Sequence, residues 1–238
     1  MSARIGVGCL TYNRPEHYEL WCKQIEKFGG DDYLVVGVGD GHDGERKGVA
    51  YRSNELLRHL KDCDYVFLFN DDCFPIAPGW AEWFIEAYKT CSQHHFLFLK
   101  ETPTIKKTDS KRVQHSVYGF GYEGIEINSF NNCSGCFMFL TKKVIEKVGA
   151  FNEEFGLYSF EHAEYSKRIH LAGLTPMGEY LCPAGADKYI YSMDLQNNLP
   201  FNKAVKHRPS MKATEAIEHI KKAQPIFEKP ILQIHRPL

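Results

Sequence analysis

Five apolar runs stand out along the chain: Ile5 to Leu10, Leu34 to Val38, Tyr65 to Phe69, Phe96 to Leu99 and Cys136 to Leu140. They are rich in Val, Phe and Leu and lack polar alternation, which predicts strands buried on both faces. Apolar residues at three-and-four spacing fill the segments between the early runs. Tyr18, Trp21, Ile25 and Phe28 follow Pro15; Val49, Leu56, Leu57 and Leu60 form a second set; Trp80, Trp83, Phe84, Ala87 and Tyr88 form a third. That spacing predicts helices. Strand and helix thus alternate three times, which predicts an α/β protein with a mainly parallel sheet, helices on both faces, and ligands beyond the carboxyl ends of the strands.

The chemistry is then expected in the strand-to-helix loops Thr11 to Pro15, Gly39 to Gly44 and Asn70 to Pro78, which are polar, turn-rich or acidic. A second half, from about Asn131 to Gly173, adds one strand and two helices around a dense polar cluster. Ala213, Ile217 and Ile220 give one more amphipathic stripe before Pro225.

The 238 residues carry 29 Lys+Arg against 30 Asp+Glu, so bulk charge draws the chain to neither nucleic acid nor anionic lipid. Local patches change that picture. Residues 100–115 hold five basic residues against two acidic, and residues 203–238 hold eight against three. A solvated face explains such stretches, as does guidance of an anionic substrate. No run reaches the roughly 18 apolar residues of a membrane span, and the strand pattern begins by Arg4 without a leader, so a cytoplasmic protein is expected. The eight cysteines (Cys9, Cys22, Cys63, Cys73, Cys91, Cys133, Cys136 and Cys182) lie mostly singly in apolar runs and read as buried free thiols. Cys133 and Cys136 form a C-x-x-C with no second pair at metal spacing nearby, and read as packing thiols.

Two segments carry candidate chemistry. Tyr65 to Pro75 is an apolar strand ending in Asn70, Asp71 and Asp72. Carboxylates at a strand end suit Mg²⁺ or Mn²⁺, which bridges nucleotide phosphates; equally, such acids cap a turn or a helix. Gly149 to Gly156 is followed by Phe160 to Arg168, in which Glu161 and Glu164 share a helical face and His162 sits in the first turn. A histidine or carboxylate there suits a general base, and equally a cap with a surface histidine.

The order of these segments resembles the inverting glycosyltransferases of family two, whose fold is GT-A, over about Arg4 to Gly173. Gly6 to Pro15 is similar to the family's first strand and base-docking loop, Tyr33 to Asp43 to its second strand, and Gly48 to Asn54 to its Arg/Asn-bearing helix. Asn70 to Asp72 resembles the DXD metal motif. Asn131 to Leu140 with Gly149 to Phe155 resembles the acceptor-side strand and turn, and Phe160 to Arg168 the Glu-Asp motif.

The resemblance implies a three-layer GT-A sandwich with a mixed, mainly parallel sheet, residues 1–200, divided near residue 100 into nucleotide-sugar and acceptor halves, with a basic extension over 201–238. It implies a metal-dependent transfer from a nucleotide-diphospho-sugar, by family habit a UDP-sugar, with inversion. Donor contacts would be Thr11, Tyr12, Asn13, Arg14, Asp40, Arg52, Asn54, Asn70 and Asp71. Asp72 would bind Mn²⁺ or Mg²⁺, with His207, Asp187 or Asp194 as a further ligand and His207 preferred. The family's catalytic Asp aligns with His162, leaving His162 or the adjacent Glu161 as base; Glu164 matches an acid nearer the acceptor, and Arg168 anchors the helix. Gly39 and Asn70 depart from the family's acids. The acceptor would be a glycan, a lipid-linked sugar, or a modified base in DNA held by the basic segments 100–115 and 203–238. A catalytically inactive nucleotide-sugar-binding module is the remaining alternative, and a nucleotidyltransferase is disfavoured because Thr11 to Pro15 is not glycine-rich.

Overall fold

A computed structural model describes residues 3–99, 116–122, 124–130, 134–158, 160–193 and 212–224. The first half alternates as expected: β1 (Ile5–Thr11), α1 (Pro15–Phe28), β2 (Leu34–Gly39), α2 (Val49–Leu60), β3 (Tyr65–Asn70), β4 (Cys73–Pro75), α3 (Trp80–Cys91) and β5 (His95–Leu97). The second half brings β6 (Ser116–Tyr122), β7 (Ile125–Phe130), β8 (Phe137–Thr141), α4 (Lys142–Val148), α5 (Glu161–Leu171), β9 (Leu181–Pro183), β10 (Ile190–Ser192) and α6 (Ala213–Lys222).

The main sheet has the order β2-β1-β3-β8-β5. β1 pairs in parallel with β2 and β3, whereas β8 runs antiparallel to both β3 and β5. The chain therefore leaves β1 for one side and returns through α2 to the other, which creates a switch point at the carboxyl ends of β1 and β3. Because β8 is reversed, its amino end meets that same edge, and Asn70 N–H donates to the Cys136 carbonyl at 2.9 Å. Two more main-chain bonds stitch the edge: Asp40 N–H to Thr11 O at 2.8 Å and Asp71 N–H to Leu10 O at 3.1 Å.

Packing explains this arrangement. Pro15 opens α1, where its missing N–H has no partner to lose, and Trp21 and Ile25 face the sheet. On the sheet face under α3, the aromatic rings of Phe67, Phe69, Trp80, Phe84, Phe137 and Phe139 interleave, with Phe84 and Phe137 centroids 4.7 Å apart. Each such ring contributes about 1.5–3 kcal/mol by leaving water. β2 departs from the expectation of burial on both faces. It is an edge strand, and Val35 is 44% exposed.

Two smaller sheets were not anticipated: β10-β4, and β6-β7-β9. α6 confirms the helical stripe near residue 213 but presents it differently, since Ala216 is buried and Ile217 is 45% exposed. The cysteines among the described residues are free thiols, as expected, with Cys22 only partly buried. Cys133, Asp194, His207, residues 100–115 and residues 203–211 lie outside the described residues.

Candidate functional site

The switch point holds the acid pair. Asp71 is wholly buried and Asp72 is 6% exposed, immediately after β3. Thr11, the last residue of β1, donates its hydroxyl to Asp71 Oδ2 at 2.5 Å. Arg14 bridges the pair, one guanidinium nitrogen on Asp71 Oδ1 and another on Asp72 Oδ2 at 3.0 Å. Burial pushes the Asp71 carboxyl above its ordinary range, against the opposing pull of the Thr11 hydroxyl and Arg14. Asp72 Oδ1 is buried and has no hydrogen-bond partner among the described residues. No group of three or more His, Cys, Asp or Glu side chains suited to a metal ion occurs among the described residues. The pair nevertheless fits a divalent cation that completes its shell with phosphate and water oxygens, because hard cations take carboxylate oxygen and Asp72 Oδ1 lacks a donor.

Beyond β2, Asp40 organises the next loop. Its Oδ1 accepts from Lys47 N at 2.8 Å, Gly48 N at 3.2 Å and Arg52 Nε at 3.3 Å. Gly48 is required here: its φ is +94°, and a Cβ would lie 2.4 Å from the Gly156 carbonyl oxygen. Arg46 reaches Asp40 Oδ2 at 3.4 Å and lays its guanidinium over the Tyr12 ring, 3.6 Å from the centroid. The Arg52 guanidinium also pairs with Asp43 at 2.6 Å, and holds that carboxyl well below its usual range.

Across the edge, α5 begins with Glu161 and His162. Glu161 is buried, and its Oε1 lies 3.3 Å from His162 Nδ1. The His162 ring lies against Gly135, just before β8, so closely that a Cβ there would stand 2.8 Å from His162 Cγ and Nδ1. Asn70, Gly135, Glu161 and His162 line one cavity with Leu10 and Ser53.

The structure thus brings Thr11, Arg14, Asp71 and Asp72 together in one cluster and Asn70, Glu161 and His162 around one cavity, with Tyr12, Asn13 and Asp40 in the loops after β1 and β2. Asn13 adopts the left-handed conformation, φ 52°, which asparagine tolerates better than most residues. The remaining candidates have these surroundings in the fold. Arg52 is 1% exposed and bonded to Asp40, Asp43, Glu55 and the Glu45 carbonyl, so it braces the Asp40 loop. Asn54 is buried, donating to Phe151 O and Glu153 Oε1 and accepting from Phe151 N at 2.7 Å, which ties α2 to the turn before α5. Glu164 is buried against Arg168 Nε at 2.7 Å, and burial raises its carboxyl above the ordinary range despite that cation. Arg168 in turn donates to the carbonyls of Val148 and Ala150, as its anchoring role required. Asp187 is exposed and borders a different pocket, with Asn128 and Gly185. Arg46 and Gly135 were not anticipated as site residues; the small Ser134-Gly135 step before an apolar run was the only signal for the latter.

No family model matches this sequence. A protein of Acanthamoeba polyphaga mimivirus named an uncharacterized glycosyltransferase is 25% identical over 156 residues, 65% of this chain and 56% of its own length. Among solved structures, a mannosyltransferase from Pyrobaculum calidifontis in complex with GDP-Man and Mn²⁺ superposes with TM-score 0.53 and 17% identity, over 74% of this chain and 54% of that one. S. aureus TarS in complex with UDP gives 0.52 and 13%, over 71% and 55%. A Drosophila β-1,4-galactosyltransferase 7 mutant with manganese, UDP-Gal and xylobiose gives 0.52 and 14%, over 95% and 82%. The chain therefore spans little more than half of the mimivirus relative and of the first two structures. Its fold is GT-A, and the relative and structures it resembles are glycosyltransferases.

Proposed function

We propose that this chain transfers a sugar from a nucleotide-diphospho-sugar to an acceptor hydroxyl with inversion at the anomeric carbon, dependent on Mn²⁺ or Mg²⁺. The observation that carries this reading is the cavity at the carboxyl end of β3 that Asn70, Glu161 and His162 line, with the buried acids Asp71 and Asp72 next in the chain. The resemblance to nucleotide-sugar enzymes of the same fold agrees with it.

In this reading Thr11, Tyr12, Asn13 and Asp40 flank the nucleoside, and Asn70 faces the ribose or a metal-bound water. Asp72, with Asp71 beside it, would hold the cation, which supplies charge to offset that growing on the leaving diphosphate. Glu161 accepts from His162 Nδ1–H, which fixes the tautomer and leaves Nε2 as the basic atom. His162 takes the acceptor proton as the hydroxyl oxygen bonds to the anomeric carbon and the bond to the phosphate oxygen breaks, leaving nucleoside diphosphate. One displacement inverts the centre. Glu164 is assigned a structural role with Arg168, not a catalytic one. UDP-sugars are the first donors to test.

The test is donor hydrolysis followed by ¹H NMR of the released sugar. Inverted product, with His162→Ala slowing turnover about a thousandfold, the scale of a general base, is expected. Retained configuration, or an unchanged His162→Ala rate, would contradict the assignment.

A further inference from the structure

We propose that Arg14 is a resident counter-cation that a divalent metal displaces from Asp72, and that its guanidinium then takes the donor's diphosphate. The second half rests on the nucleotide-sugar reading above; the first stands on the site alone. Asp71 and Asp72 bring two negative charges and Arg14 returns one. With Arg14 in place the cluster is still negative and repels a diphosphate; with a divalent cation added it becomes attractive. One guanidinium spread over two carboxylates is poorly placed to grip phosphate oxygens as well.

Exposure decides which partner moves. The acids are buried and their turn is pinned, with Asp71 accepting from Thr11 and the Asp72 carbonyl accepting from Met193 N–H at 2.8 Å. The Arg14 side chain is 41% exposed on the loop before α1, so its contacts are the ones that yield. Asp72 Oδ1, buried and without a hydrogen-bond partner among the described residues, is the oxygen that gains most from a metal. Metal and guanidinium are thus competitors for Asp72 before the donor arrives and allies once it is bound, an exchange that links metal loading to donor capture.

The experiment is a Mn²⁺ titration followed by electron paramagnetic resonance on the whole chain, comparing wild type, Arg14→Ala and Arg14→Gln. Both variants are expected to bind Mn²⁺ about tenfold more tightly, because the competitor is gone, while Asp72→Asn weakens binding at least as much. UDP or GDP binding at saturating Mn²⁺, measured by calorimetry, is expected to weaken about tenfold in both Arg14 variants. Unchanged or weaker Mn²⁺ binding in those variants, or no Mn²⁺ binding by any form, overturns the displacement. Unaltered nucleotide affinity in the variants overturns the second role. Absence of nucleotide binding by wild type overturns the donor reading itself, and the Mn²⁺ arm still decides the displacement separately.

Discussion

The space that Gly135 leaves is what lets the His162 ring reach the sheet edge. A Cβ at that position would stand 2.8 Å from His162 Cγ and Nδ1 and 3.3 Å from its Cβ, so the histidine side chain as a whole, not its tip, must move. Gly135→Ala is therefore expected to lower turnover about a hundredfold, as misplacement of a reacting group does. Equal turnover in a folded variant would show that the ring's position does not matter. Single residues stand out where chemistry is written in residue type: Asp71, Asp72, Glu161 and His162 are conspicuous in the sequence, and Asn70, Glu161 and His162 line one cavity at the end of the strand that precedes the acid pair. Arg52, Asn54 and Glu164 look like site residues for the same reason, but burial and internal hydrogen bonds, which no local pattern reveals, give them structural partners. Arg14 was expected near a donor, and its pairing with both acids depends on a contact 58 residues away in sequence.

Elements with long apolar runs were legible almost to their ends, because five or six consecutive apolar residues leave few alternatives to a buried strand. The three-residue strands β4, β9 and β10 carry too little pattern, and their pairing is set by partners distant in sequence. β5 joins the sheet through a further device. His95, fully buried, has Nδ1 at 2.9 Å from the Phe139 carbonyl of β8 and Nε2 at 2.9 Å from Ser166 Oγ of α5. Burial lowers its imidazole from 6.5 to about 4. Below pH 6.5 the unfolded chain takes up a proton that the folded chain refuses, so stability is full above that pH and falls as pH drops towards about 4. By about pH 5 the loss amounts to roughly 2 kcal/mol. Urea unfolding of wild type and His95→Gln, at about pH 7.5 and about pH 5, is expected to show the stability gap between them shrinking by that amount. A gap independent of pH would mean that His95 does not stay neutral in the fold.

At the scale of the whole molecule, the sheet order decides where function can sit. β1 and β3 end side by side because the chain crosses between them, and the reversed β8 brings Gly135 and α5 to the same edge. The parallel alternation was readable from hydrophobic spacing; the reversal of β8 was not, since strand direction is set by the intervening connections. Charge follows the same division. The first 202 residues carry net negative charge and the remainder net positive, so in the proposed reading an anionic donor would rely on local cations rather than the overall field. The most direct test of the account is a thermal-shift panel of UDP, GDP, CDP and TDP with and without Mn²⁺, on wild type and Asp72→Ala. A ligand at about a hundred times its Kd stabilises the folded state by about 2.7 kcal/mol, a shift of several degrees in a chain of this size. Such a shift is expected for one nucleotide, only with Mn²⁺, and is expected to be lost in Asp72→Ala; no shift with any nucleotide, or a shift that survives the substitution, would contradict a nucleotide-sugar site at this edge.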